Sequence, residues 1–137
     1  MTTLPNLKTV KTMLLVTLVA STLGCGYSSK NTPPAAGNVP AIAQLAPASM
    51  NAGSGAFTLV VNGSKFNTNA VVNWSGKAQT TSYVSGSQLS VAIPASAIAT
   101  AGTVPVTVTN PGTAGTGMYG SGGTMAETSN SMTFTIN

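Results

Sequence analysis

Histidine, arginine and aspartate are missing from this 137-residue chain, and Glu127 is its only acidic residue. Each gap removes a class of chemistry. A Ser–His–Asp relay needs a base to activate the serine, and glycoside hydrolysis needs a pair of carboxylates. No Lys stands three residues after a Ser to make a Ser–Lys pair instead. Zinc and calcium sites lack their ligand sets. The chain is therefore expected to be no enzyme, with no catalytic residue, no metal and no other cofactor. Charged residues are 4% of the total, against roughly a quarter in an average soluble domain. The formal net charge of +4 rests on lysines, and two of them, Lys8 and Lys11, lie close to the start. Lys30, Lys65 and Lys77 are too scattered for the clustered basic footprint that nucleic acid requires, so no nucleic-acid partner is expected. The surface has to be covered by Ser, Thr, Asn, Gln and Gly, which suits an exported protein.

Cysteine is also scarce. Cys25 is the single thiol, too few for a disulfide or a structural metal site. It ends the stretch "LLVTLVASTLGC", which follows Lys8 and Lys11. A positive segment, about ten apolar residues and a small residue at the cut form the pattern of an export signal. The run is shorter than the ~20 residues that span a bilayer. "TLGC" at Thr22–Cys25 resembles the lipobox of bacterial lipoproteins, although that family usually has Leu at the position of Thr22 and a small residue at that of Leu23. The resemblance implies cleavage before Cys25 and a diacylglycerol on its thiol. One acyl chain anchors only marginally, whereas two or three hold a protein on a membrane durably. With Gly26 rather than Asp after the cysteine, the resemblance implies delivery to the outer membrane of a host that has two. The competing readings are an uncleaved anchor or an ordinary signal cut elsewhere.

The expected organisation is a lipoprotein signal at 1–24, a lipidated Cys and linker at 25–40, and one domain at 41–137. The linker "GYSSKNTPPAAGNVP" has no period of 2 or 3.6 and is broken by Pro, Gly, Ser and Asn. It reads as a spacer that lifts the domain from the lipid, or simply as a disordered terminus. From Ala41 the pattern is alternation. Phe57, Leu59 and Val61 share a face, as do Leu89, Val91 and Ile93, then Val104, Val106 and Val108, then Met132, Phe134 and Ile136. Ile42 and Leu45 suggest a first strand, "VVNWSG" a short apolar one, and "AQTTSYVSG" a middle one. Spacing of roughly eight to twelve residues between strands, punctuated by Gly, Pro, Asn and Ser, predicts an antiparallel sandwich or barrel. Pro105 cannot donate to a ladder, which predicts an edge stretch or a bulge there. Pro94–Gly102 predicts one helical turn bridging the sheets. Gly63 in "NGS" is expected to make a sharp bend, and "NPG" at Asn110–Gly112 a turn.

The segments "PAIAQLAPASMNAGSGAFTLVVNGSKFNTNAVVNWSG", "QLSVAIPASAIATAGTVPVTVTNPG" and "MTFTI" resemble an IPT/TIG domain over Pro40 to Asn137. The most telling pieces are the Pro–hydrophobic–Pro opening, the "VNGSKF" turn, the V-x-W-x-G strand and V-x-V-x-N-P-G. That family occurs in bacterial surface proteins, carbohydrate-active enzymes, plexin-type receptors and Rel-type transcription factors. The resemblance implies an all-β, immunoglobulin-like antiparallel β-sandwich of about seven strands. Its expected core holds Trp74, Phe57, Leu59, Val61, Leu89, Val91, Ile93, Val106, Val108 and Phe134. Tyr83 is expected in the core as well. No cysteine follows Cys25 to staple the sheets, and a domain of this size manages without, since it buries roughly two-thirds of its unfolded surface.

Candidate binding groups are few. Asn110–Ser131 is a long Gly-, Thr- and Ser-rich connection, an insertion relative to the family's usual turn. Connections over about fifteen residues are usually functional or disordered. Met118 and Tyr119 are the bulky groups near its middle and the candidate partner-binding loop; the other reading is an insertion with no ligand. "GTGMYG" at Gly115–Gly120 matches G-x-G-x-x-G by accident, because no helix pattern follows it. Asn62 and Asn73 head N-x-S sequons that matter only in a glycosylating host. The leading expectation is a non-catalytic lipoprotein of the cell envelope. Its immunoglobulin-like module makes protein or glycan contacts, or serves as a spacer. The alternative is a polysaccharide-binding accessory protein.

Overall fold

The computed structural model describes residues 37–116 and 122–137. Among them the alternating segments become ten strands: β1 (Ala41–Ala46), β2 (Ser49–Met50), β3 (Phe57–Ser64), β4 (Val71–Trp74), β5 (Lys77–Ala78), β6 (Thr81–Ser85), β7 (Gln88–Ile93), β8 (Gly102–Asn110), β9 (Glu127–Thr128) and β10 (Met132–Ile136). Three of them, β2, β5 and β9, are two-residue pieces. The longer ones number seven, as the alternation predicts. One 3-10 turn, Ala95–Ile98, follows Pro94 and drops Ile98 into the interior.

One sheet has the order β1-β3-β7-β6; the other runs β2-β10-β8-β4-β5, with β9 also paired to β8. Every pair is antiparallel except β2 with β10. The turn from β4 to β5 is two residues, Ser75 and Gly76, both at positive φ (51° and 77°). That is the primed turn whose twist matches flanking strands.

The period of two puts one row of each strand between the sheets. Leu59 and Val61 of β3, Leu89, Val91 and Ile93 of β7, Val106 and Val108 of β8, and Phe134 of β10 are all sealed from solvent. Phe57 is half-buried at the end of its row. Its ring stacks on Phe134 with centroids 5.5 Å apart and meets Trp74 edge-on at 6.5 Å, while Trp74 and Phe134 are 5.0 Å apart. These three rings join β3 of one sheet to β4 and β10 of the other. Ile42 and Leu45 are both buried although three residues apart. A register shift between Ile42 and Gln44 in the pairing with β3 absorbs the odd residue.

On the outer face of the second sheet, amides and hydroxyls stand where a typical protein uses charge. Asn73 Nδ2 donates to Thr109 Oγ1 at 3.0 Å and Thr107 Oγ1 at 3.4 Å, and the Thr109 and Thr128 hydroxyls share a bond of 3.0 Å. Such cross-strand pairs stabilise a sheet much as ion pairs do.

Of two local expectations, one holds and one is corrected. Pro105 lies in an edge stretch and not in a bulge: β8 is flanked by β10 and β4 with continuous registers, but at Pro105 only β10 is paired to it. The ladder to β4 ends at the pair Trp74 and Val106, and the Pro105 carbonyl accepts the Ser75 N–H beyond it at 2.9 Å. The missing donor therefore falls where β4 has already turned away. Gly63 makes no bend, because β3 runs through it to Ser64. A Cβ there would run into the Ala41 carbonyl and the Phe66 ring. The bend comes at Lys65, with φ of 59°.

Trp74→Ala removes the largest ring of the inter-sheet cluster and is expected to cost about 3–5 kcal/mol. A denaturant melt reads this as a lower midpoint with an unchanged slope; an unmoved midpoint would take Trp74 out of the load the core carries.

Candidate functional site

Asn110 closes β8 and, at 2% exposed, is the buried polar side chain among the described residues. The alternation that sends Val104, Val106 and Val108 inward sends Asn110 inward too. Its Nδ2 donates to the carbonyls of Asn38 and Lys65, both at 2.7 Å, and its Oδ1 accepts the Asn67 N–H at 3.0 Å. The two carbonyls and the single N–H fix which way the amide points. One side chain thereby ties the segment leading into β1, the β3–β4 turn and the end of β8. Asn130 makes a second clasp: its Oδ1 accepts the Ile42 N–H at 2.9 Å and its Nδ2 donates to the Ile42 carbonyl at 3.1 Å. Ser129 does the same for Val108 through its hydroxyl and its backbone N–H, both at 2.8 Å.

The connection after β8 is built rather than loose at its base. Thr113 and Thr124 exchange backbone hydrogen bonds at 3.1 and 3.0 Å, with their hydroxyls 3.0 Å apart. β9 then pairs with Thr109 and Asn110. Gly112 is required here, since a Cβ would stand 2.5 Å from the Thr124 carbonyl oxygen. The G-x-G-x-x-G match begins at Gly115, inside these antiparallel limbs, not between a parallel strand and a helix. Met118 and Tyr119 lie outside the described residues, as does Cys25.

Beside the Asn110 clasp is a cleft of about 340 Å³, lined by Phe66, Asn67, Thr68, Asn69, Tyr83, Pro111, Gly112 and Thr113. Tyr83 is not a core residue; it is 40% exposed. Its cross-strand partner Leu89 is sealed, so Tyr83 leaves the sheet on the inner side. β6, however, is the outermost strand, and the ring comes to rest over the cleft instead of under a facing strand. A bulge between Tyr83 and Ser85 turns the strand at this point. A second cleft, about 450 Å³, lies by the other half of β8, between Trp74, Ser75, Lys77 and Gln79 and the Pro94–Ala97 turn. Among the described residues no three His, Cys, Asp or Glu side chains cluster. What the clefts offer is hydrogen bonding and ring contact, with the Lys77 ammonium added at the second.

The IPT/TIG domain profile matches residues 40–136. The chain belongs to the IPT/TIG family. In this IPT/TIG domain the V-x-W-x-G signature is β4 with its two-residue turn, and V-x-V-x-N-P-G is the second half of β8 with its closing clasp. No curated protein and no solved structure gives a match. Sequence reasoning read Asn110 as a turn residue and passed over Phe66 and Asn130. The signal for Asn110 was present: a polar residue on the inward register of an alternating strand needs buried partners.

Asn110→Ala leaves two carbonyls and an N–H without their partner, at about 1–3 kcal/mol for each that water cannot reach. Asn110→Asp is expected to be worse at neutral pH, because a carboxylate would face the Asn38 and Lys65 oxygens. Burial and those oxygens raise the folded-state pKa of that variant's carboxyl, so its stability is highest at acid pH and falls as pH rises. Thermal melts of Asn110→Asp across pH check the sign; a variant that gains stability toward neutral pH would contradict the clasp.

Proposed function

We propose that this chain is a lipid-anchored, non-catalytic module of the cell envelope that holds its IPT/TIG domain away from a membrane for binding or as a structural element. IPT/TIG domains are in general non-catalytic immunoglobulin-like modules with binding or structural roles, which supports the second half of the reading. The first half rests on one observation: the sole cysteine stands directly after Gly24 at the end of the apolar run, just before the spacer. A thiol in that place has no disulfide or metal to make, and thioether attachment of a diacylglycerol uses a single one. The acyl chains then supply the membrane affinity, at about 0.8 kcal/mol per buried methylene. The spacer supplies reach, at most ~3.3–3.6 Å per residue if fully extended. The near absence of charge in the domain weakens any electrostatic pull toward anionic lipid headgroups, so the anchor carries the attachment.

Cys25→Ser is expected to move the protein from the membrane fraction to the soluble fraction or to leave it as uncleaved precursor, without changing the melting temperature of the domain. Cell fractionation followed by immunoblotting checks this. A Cys25→Ser protein that still cleaves and still sediments with membranes would refute the lipid anchor.

A further inference from the structure

We propose that the Tyr83 cleft binds a neutral saccharide. The inference rests on the reading of the chain as a binding module and gives that module a ligand class. The cleft falls at the low end of the ~300–1,000 Å³ range of small-ligand sites, room for one or two sugar rings rather than a folded partner. Its lining contains no charged side chain. An anionic ligand such as a phosphate or a uronate would find no cation there to offset its desolvation.

What the lining does hold is one ring and a set of neutral polar groups. Tyr83 presents a partly exposed ring, a surface on which the apolar C–H face of a pyranose can lie. The Asn67 and Asn69 carboxamides each carry two donors and two acceptors, the pattern that pairs with neighbouring hydroxyls. Among the described residues neither carboxamide makes a side-chain hydrogen bond. Thr68 and Thr113 add hydroxyls at the two sides. The second cleft lacks this combination: its one ring, Trp74, is committed to the core at 5% exposed, and Lys77 lies at its rim.

The walls are fixed to one another before any ligand arrives. The Phe66 N–H donates to the Gly86 carbonyl at 2.9 Å, joining the β3–β4 turn to the strand end that carries Tyr83. The Gly63 N–H donates to the Ser87 carbonyl at 2.9 Å beside it. The Asn67 N–H is held by Asn110, and the Ala70 N–H closes the turn on the Asn67 carbonyl at 2.9 Å. Gly112 is pinned against Thr124 and Ala126. A site assembled in this way loses little freedom on binding, which favours affinity for a small ligand.

The test uses the full chain in detergent micelles on a glycan array that includes cellotetraose, maltotetraose, mannotetraose and tetragalacturonate, with a pool of short neutral peptides beside them. Amide chemical-shift mapping then locates the best binder. The expected result is saturable binding of at least one neutral tetrasaccharide, with the largest shifts at Asn67, Asn69, Tyr83 and Gly112. Tyr83→Ala and Asn69→Ala are each expected to weaken it by about tenfold or more, with the melting temperature unchanged for the exposed Asn69 and the fold retained for Tyr83 on its outermost strand. The proposal is overturned if no neutral glycan binds, if tetragalacturonate or the peptides bind as well or better, if the shifts fall around Trp74, or if both variants bind like the parent chain. Lipidated protein that ignores every glycan refutes the cleft alone; glycan-binding protein with a free Cys25 thiol refutes the anchor alone.

Discussion

Phe57, Trp74 and Phe134 meet where the two sheets face each other, and no covalent bond shares their work. The domain has no cysteine and almost no charge, so neither a disulfide nor an ion-pair network can hold the sheets together. What remains is apolar burial at roughly 25 cal/mol per Å² and close packing of the rows on either side. Everything else in the molecule follows from keeping those rows in register. The β1 shift lets Ile42 and Leu45 both reach the interior, and the 3-10 turn plugs one end with Ile98.

The opposite end is closed by polar side chains. Asn110 and Asn130 stitch the segment leading into β1, the β3–β4 turn and the last two connections to each other, each through backbone groups of residues distant in sequence. Neutral amides suit a chain with so few charges, because they satisfy buried carbonyls and N–H groups without the desolvation cost of an ion. This closure also sets the geometry of the cleft. The turn that Asn110 holds supplies one wall, and the strand that this turn is bonded to supplies Tyr83. The segment Gly37–Pro40 docks at the same end through the Asn38 carbonyl, so it and the cleft share a pole of the sandwich. The last residue, Asn137, pairs with Met50 and Ala52 near the Ile98 end.

Much of the sandwich was legible in the sequence because an alternating strand writes its buried face into every second residue. Val104, Val106 and Val108, or Leu89, Val91 and Ile93, need no other information. The misreadings came where a residue's surroundings depend on a distant segment. Tyr83 alternates like a core residue, yet it sits on an outermost strand with a bulge, which only the strand order reveals. Gly63 looked like a bend because Gly usually is one; the close approach of Ala41 and Phe66 across a strand pair is a tertiary fact. The Tyr83 cleft draws its lining from three segments, residues 66–69, 83 and 111–113, so no local pattern could announce it. Met118 and Tyr119, the residues that local composition did single out, lie outside the described residues.

In the function proposed above, one sulfur atom joins the β-sandwich to a membrane. Intact-mass analysis of the protein extracted from host membranes measures that link directly. A lipid anchor at Cys25 gives a mature chain beginning at Cys25 and heavier than its sequence by a diacylglycerol, with or without a further acyl group. A mature chain of unmodified mass with a free, alkylatable thiol would contradict it.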